Sequence, residues 1–292
     1  MIRRGQRRRI AGWLLLAGGP ALLFAVLYAW PMLQLARGSL DSFDPIKGSS
    51  PAWQPGFYVK FLTDSYYLGV LWRTVRFSLE ITVIAAIAGY PIAWFLVRSR
   101  ARLRPLLVIV LLVPLVTSPV VVAYGWLVLL GSKGVVNQLL IGIGVTEEPI
   151  KLIFTPFTLV IGLVHVLATF MVLAIAASLQ NVDWNLVLAA RSLGAGGWRA
   201  FRLIVLPLSL PGLATGCLLV FSLSMSAYAV PALIAGPQVK VMSELIYEQG
   251  MALLNWPFAA CMSLILVAST TGILAAARGL GSWRRAAPAG AR

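Results

Sequence analysis

Residues 183–212 read DWNLVLAARSLGAGGWRAFRLIVLPLSLPG, and this stretch decides how the chain is organised. It is polar and helix-forming, with a glycine hinge at Gly194 and two prolines, Pro207 and Pro211, toward its far end. On either side lies an apolar run, about Thr155–Leu179 and about Leu208–Val230, each long enough to cross a bilayer. A structured loop held between two spans on one membrane face is expected to be a docking element for something on that face.

The local pattern within the stretch is legible. Asp183 can cap a helix that begins near Trp184, because a short carboxylate accepts from the first free helix amides. Leu186, Ala189 or Ala190, and Leu193 then recur at helical spacing, and Gly194 follows directly, suited to a left-handed helix end. A second short helix carries Trp198, Phe201 and Val205 on one face and Arg199 and Arg202 on another. Pro207 and Pro211 mark the return to the membrane. The expectation is a helix–turn–helix lying across one membrane surface. The plainer alternative is an amphipathic segment bound only to lipid headgroups.

Working outward, the 292-residue chain is 60% hydrophobic and 11% charged, with a mean hydropathy of +0.88. A soluble domain carries roughly a quarter charged residues, so the apolar runs set the class. Six spans are expected, at about Ala11–Leu33, Leu71–Val97, Leu106–Leu130, Thr155–Leu179, Leu208–Val230 and Pro257–Ala277. The fold class is therefore all-α, a polytopic membrane protein. The first run is too long for the apolar part of a secretory leader and no small-x-small cleavage site follows it, so it reads as a retained helix. Pro91, Pro114 and Pro119 lie inside spans, where neighbouring groups must satisfy the freed carbonyls. The domain layout is a basic tail at 1–10, a transmembrane domain at 11–278 with its loop at about 180–207, and a second tail at 279–292.

The net charge of +15 is distributed in a telling way. Lys and Arg collect at Arg3–Arg9, Arg98–Arg104, Arg191–Arg202 and Arg278–Arg292, which are alternate loops. That is the positive-inside bias, which places both termini and the 98–104 and 180–207 loops in the cytoplasm. It also argues against nucleic acid as a partner, since the charge forms no single stripe. The segments around 35–70, 131–153 and 231–256 are then outside. Their carboxylates, Asp41, Asp44, Asp64, Glu147, Glu148, Glu244 and Glu248, read as solvated loop charge. Arg76 and Glu80, four apart near the outer end of the second span, read as an interfacial pair.

Chemistry of its own is not expected. Gly131-Ser132-Lys133-Gly134 lacks the spacing of a phosphate-binding loop, so the chain is not expected to be an ATPase itself. Cys217 and Cys261 are far apart inside apolar runs and read as small buried hydrophobes, with no metal-ligand spacing. The one histidine, His165, lies mid-span; such a group is more often packed than functional, but intramembrane polar groups also face cavities. Ser222, Ser226 and Tyr228 on the fifth span, with Tyr124 and Trp126 on the third, are the other candidates for a translocation path. Serines two apart cannot all face one way on a helix, so Ser222, Ser224 and Ser226 cannot line it together. Aromatics there could hold an ammonium group by cation–π contact.

Three runs in the quoted stretch carry a resemblance: Ala189-Ala190-Arg191-Ser192-Leu193-Gly194-Ala195, Trp198-Arg199-Ala200-Phe201-Arg202 and Val205-Leu206-Pro207-Leu208. Together they resemble the EAA loop of the inner-membrane permeases of binding-protein-dependent ABC importers, of the MetI-like kind. The resemblance implies that the first short helix is a coupling helix, docking in a groove of an ATP-binding subunit and transmitting its closure. Asp183, Ala189, Ala190, Arg191 and Gly194 are the coupling positions it implies. The chain departs from the pattern at Leu188, where the family usually has the glutamate that names the motif; an apolar contact would replace a charged one.

Gly89-Tyr90-Pro91-Ile92-Ala93, Tyr124-Gly125-Trp126, Asn181-Val182-Asp183, Pro231-Ala232-Leu233-Ile234-Ala235-Gly236-Pro237 and Asn255-Trp256-Pro257-Phe258 resemble the spermidine/putrescine permease-B branch. Branches for iron(III), thiamine, phosphonates and opines share several of these runs. The implied assembly has two ATP-binding subunits with ATP-Mg as their cofactor, a second permease that is a paralogue or a second copy, an external solute-binding protein and the lipid of a bacterial inner membrane. The competing class is a secondary transporter, which would call for intramembrane charge or broken helices in both halves.

Overall fold

A computed structural model describes residues 4–98 and 104–283, with side chains from Gly18 onward apart from a few positions. Arg3, residues 99–103 of the basic loop and residues 284–292 of the C-terminal tail lie outside the described residues. The chain forms two compact units, residues 1–64 with 246–267, and residues 65–245 with 268–292.

The first unit begins with α1 (Arg4–Gly38). A two-stranded hairpin follows, β1 (Ser42–Asp44) antiparallel to β2 (Gly48–Ser50), with Ser42 opposite Ser50 and Asp44 opposite Gly48. Gly48 takes φ +78°, which the turn requires. This hairpin was not expected from the sequence, and beside it the reading of one carboxylate, Asp41, changes while exposed Asp44 keeps its solvated place. Asp41 is not a solvated charge: it pairs with Arg37 and accepts from the Ala52 amide at 3.1 Å. Burial alone would raise its carboxyl, but the Ala52 amide and the Arg37 guanidinium outweigh that and hold it below the usual carboxylate range. Asp44 accepts from the amides of Lys47 and Ile46, at 3.0 and 2.8 Å, and those bonds lower it too. The helix α2 (Gly56–Thr63) buries Phe61.

The second unit is built on α3 (Ser65–Arg98), α7 (Pro156–Gln180) and α10 (Leu206–Ser226), which pack mutually. Glycines permit the close approach. An added Cβ on Gly212 would lie 2.3 Å from the Ser178 Cβ, and one on Gly216 would lie 2.6 Å from the Met171 sulfur. Small residues at such contacts let helix backbones approach where lipid offers no hydrophobic drive. Ile81, Met171, Ile175 and Val220 are buried in this core. Arg76 donates to Glu80 at 2.8 Å across one helical turn, the expected pair.

Between α3 and α7 lie α4 (Arg104–Val116), α5 (Pro119–Leu130) and α6 (Val135–Gly142). The third span is therefore not the continuous helix expected over 106–130. It breaks at Thr117–Ser118, because Pro119 has no amide to offer and its ring excludes a helical turn before it. Ser118 caps the restart by accepting from the Val120 amide at 3.4 Å. The apolar stretch long enough to cross a membrane is instead 119–142. Buried Asn137 ties the segment that follows, donating to the Gly131 and Ile150 carbonyls and accepting from the Ile150 amide, all near 3 Å.

After α7 come α8 (Trp184–Ser192), α9 (Gly197–Ala200), a π-helical turn at Phe201–Val205 and α10. Then α11 (Ala229–Ile234) and α12 (Met242–Tyr247) lead to α13 (Trp256–Trp283). Among the described residues, six helical stretches are long and apolar enough to cross a membrane: 18–38, 65–98, 119–142, 156–180, 197–226 and 256–279. The all-α polytopic class stands, with the hairpin as a minor addition.

Candidate functional site

The segment 183–205 is built as two pieces, the first of them capped. Asp183 accepts from the Asn185 amide at 2.9 Å and starts α8. The helix stops at Gly194, whose φ of +85° is the left-handed value. The Ala195 amide donates to the Ala190 carbonyl and the Gly194 amide to the Arg191 carbonyl, both at 3.0 Å. That paired pattern is a Schellman end, and it satisfies two carbonyls the helix would otherwise leave open.

The second piece differs from expectation. It is not a separate short helix, because α9 runs through the π-helical turn into α10 as one apolar stretch, 197–226. Pro207 explains the wider turn. It cannot donate to the Leu203 carbonyl, and its ring would press on that carbonyl in a regular α-turn. Opening the preceding turn relieves the clash without ending the helix.

Aromatic side chains hold this segment to α3. Trp94 stands edge-on to Trp184, with centroids 5.7 Å apart, and edge-on to Phe201 at 5.3 Å. Tyr90 meets Phe201 at 5.7 Å, and Trp198 stacks on Phe201 at 5.4 Å. The Arg98 guanidinium lies 4.6 Å from the Trp184 ring centroid. Sequence reading placed Trp198 and Phe201 on one face but missed their partners. The only signal available was the aromatic pair Tyr90 and Trp94 at i,i+4 near a basic loop.

What remains of α8 is open. Val187 is its one buried residue. Asp183, Ala189, Arg191 and Gly194 are exposed, and Ala190 is half-buried. Leu188 is 60% exposed and Leu193 89% exposed, so large apolar side chains stand free on a loop bearing arginines. A shallow depression of about 250 Å³ lies between Ala190, Leu193 and Gly194 on one side and Arg199 and Leu203 on the other.

The residues considered for a path are divided by the structure. Trp126 of α5 donates its indole N–H to His165 Nδ1 of α7 at 3.3 Å, the rings edge-on at 5.8 Å. Tyr124, on the same short helix, is 56% exposed. Ser222 donates to the Leu218 carbonyl at 2.8 Å, and Ser226 to the Ser222 and Leu223 carbonyls at 3.3 and 3.2 Å. Both hydroxyls thus satisfy their own helix. Ser224 is buried between them in sequence. Tyr228 lies just past the end of α10, in a break the sequence did not suggest: the fifth span stops at Ser226 rather than running to Val230. The Ala227 carbonyl of that break accepts from the Ser243 hydroxyl at 2.6 Å. The helices that follow the two breaks, α5 and α11, pack on each other. Broken helices, one of the features a secondary transporter would call for, are therefore present in spans three and five.

Among the described residues, no three His, Cys, Asp or Glu side chains are grouped to hold a metal ion. Cys217 and Cys261 are free thiols, the second buried.

Comparison with known proteins bears on the choice. Residues 81–284 match the family described as binding-protein-dependent transport system inner membrane component. The chain is 37% identical over 257 residues to the spermidine/putrescine transport system permease protein PotB of Salmonella typhimurium, covering 88% of this chain and 86% of that protein. It is equally 37% identical to the PotB protein of Escherichia coli, covering 88% and 90%. A crystal structure of a bacterial alginate ABC transporter, in complex with an alginate-pentasaccharide-bound periplasmic protein, contains a chain of similar fold. The TM-score is 0.76 at 19% identity, covering 94% of this chain and 96% of that one.

Proposed function

Since this chain belongs to the family of binding-protein-dependent transport system inner membrane components, we propose that residues 180–207 are its ATPase-coupling segment and that its solute is a polyamine. As a member it is a transport-system permease subunit and not an enzyme. Membership implies a cognate ATPase and a cognate solute-binding protein.

One observation supports the coupling role most strongly. The residues of the family-like motif fall on a helix capped at Asp183, ended by the left-handed Gly194 and burying only Val187. Its exposed residues, Ala189 and Arg191 among them, are left for a partner. Asp183 and Gly194 set where that helix begins and ends; Ala189 and Ala190 let a groove close around it; Arg191 offers a charge to a facing carboxylate. Leu188 and Leu193 supply apolar contact where the family's glutamate is missing. ATP-driven closure of the partner would bind this helix differently in its open and closed states, and only such a difference can shift the membrane-domain equilibrium.

In this reading the chain sits in a bacterial inner membrane with both termini, the 98–104 loop and the 180–207 loop cytoplasmic. It faces a paralogous permease above two ATP-binding subunits, and an external binding protein delivers the solute. The basic tails at 1–10 and 279–292 flank a transmembrane domain at 11–278. Polyamine is favoured by the names of the relatives sharing most of the chain. Tyr124 and Trp126 on the helix after the first break, His165 bonded to Trp126, and Tyr228 in the second break are the path candidates, with Ser222 and Ser226 less favoured because their hydroxyls are engaged. Backbone breaks at membrane depth persist where protein or a water-lined cavity surrounds them.

The test is ATP hydrolysis by the reconstituted complex with its binding protein, given spermidine, putrescine, iron(III), thiamine or phosphonate. Stimulation by a polyamine alone is expected. Stimulation by another solute and not by polyamines would reject the substrate and leave the coupling role standing.

A further inference from the structure

Trp94 joins two parts of the coupling segment that the chain connects only the long way round. Along the backbone, α8 is linked to α7 through Asn181–Asp183 and to α10 through the Gly194 turn. Neither link passes through α3. Yet Trp94 of α3 contacts Trp184, the first residue of α8, at 5.7 Å on one side and Phe201, just before α10, at 5.3 Å on the other. Arg98, one turn further along α3, covers the Trp184 ring at 4.6 Å. Both Trp94 contacts are edge-on, with interplanar angles of 78° and 82°, which is the arrangement ring quadrupoles favour.

The same end of α3 has a built-in bend point. Pro91 removes the amide that would bond the Ile87 carbonyl, one turn before Trp94. Just before the proline, Gly89 is pressed against α7: an added Cβ would lie 3.2 Å from Met171 and 3.3 Å from Val172. So α3 is held to α7 before Pro91 and to Trp184 of α8 beyond it, while Phe201 touches Tyr90 on the near side and Trp94 on the far side. Close-packed side chains resist compression and pass displacement on.

We propose that Trp94 is a positioning residue that carries displacement of α8 into the Pro91–Arg98 end of α3. The proposal rests on the reading of residues 180–207 as the ATPase contact. It makes α3, and not only the covalently attached α7 and α10, a helix that responds to the ATPase.

The experiment uses the whole complex in proteoliposomes with the cognate ATPase, second permease and loaded binding protein. Three quantities are measured: ATPase retained on purification, ATP hydrolysed, and spermidine taken up per ATP. Trp94→Leu is expected to keep the ATPase and continue hydrolysis while uptake per ATP falls by about tenfold, the size of an ordinary coupling change. Trp94→Phe, which keeps a ring edge, is expected to restore most of the ratio. Unchanged uptake per ATP in Trp94→Leu overturns the proposal, as does loss of the ATPase from that variant, which would make Trp94 a docking support only. Equal failure of Trp94→Phe overturns it too. If the unaltered complex retains no ATPase, the coupling reading itself falls and the assignment of Trp94 falls with it.

Discussion

The Tyr90 hydroxyl lies 2.7 Å from the Ser209 hydroxyl, joining α3 to α10 at the level of the aromatic cluster. Ser209 is fully buried and gives its own proton to the Leu206 carbonyl at 3.0 Å. Its oxygen is thus left to accept, and Tyr90 is the donor. Tyr90→Phe removes that donor while keeping the ring against Phe201. The expected loss is about 1 kcal/mol, the ordinary net value of one hydrogen bond. Thermal unfolding of the detergent-solubilised variant checks it; a midpoint equal to that of the unaltered chain would show the bond to be inert.

Gly194 should tolerate replacement in the order Asn, Ala, Val. Nothing lies within 4 Å of where its Cβ would be, so the penalty is backbone conformation alone, at φ +85°. Holding an ordinary residue in the left-handed region costs roughly 1–2 kcal/mol, with asparagine penalised least and β-branched residues most. Gly194→Val is expected to insert normally but to lose transport-coupled ATP turnover, and Gly194→Asn to retain most of it. Full activity of the valine variant would show that the turn does not aim α8.

Gly212→Ala should destabilise the α7–α10 contact where Gly69→Ala does not. The added methyl at Gly212 would lie 2.6 Å from the Ala174 carbonyl oxygen, which belongs to rigid helix backbone, whereas at Gly69 it meets open space. Overpacking of this kind costs about 1–3 kcal/mol, and removal of a mid-helix glycine gains up to about 1 kcal/mol. Thermal midpoints of the two variants should move in opposite directions. A shift of the same sign in both would contradict the packing described.

Several of these features could be read before the structure. Asp183, Gly194 and the six apolar stretches announce themselves because capping, left-handed φ and span length are local properties. The breaks were less accessible. Pro119 was visible, but nothing local said whether a neighbour would re-satisfy the ladder or the helix would stop. The stop after Ser226 has no proline within it; Pro231 denies the Ala227 carbonyl its helical amide from four residues on, and Ser243 meets that carbonyl from sixteen residues away. The link from Trp94 to Trp184 and Phe201 is likewise tertiary: residues about a hundred apart meet only after α3, α7 and α10 have packed. The hairpin was missed because its strands are three residues each, too short to show alternation.

Arg191→Glu should weaken association with the ATPase more than membrane insertion. The side chain is exposed near the end of α8 and stands beside Gly197, where an added Cβ would lie 3.3 Å from its guanidinium. A facing carboxylate on the partner would meet repulsion that reaches several kcal/mol, about 2–5, when desolvated. Co-purification across a salt series reads this directly. Recovery of the ATPase at wild-type salt sensitivity would assign Arg191 to lipid headgroups instead.

The central claim is that α8 is the surface the ATPase holds. The most direct measurement places a cysteine at exposed Ala189, in a chain with Cys217 and Cys261 replaced by serine or alanine, and cross-links it in membranes that contain the cognate ATPase. A covalent adduct between Ala189→Cys and the ATPase subunit is predicted, its yield changing when ATP is bound. No adduct from position 189, with the assembled complex transporting normally in the same membranes, would contradict the account.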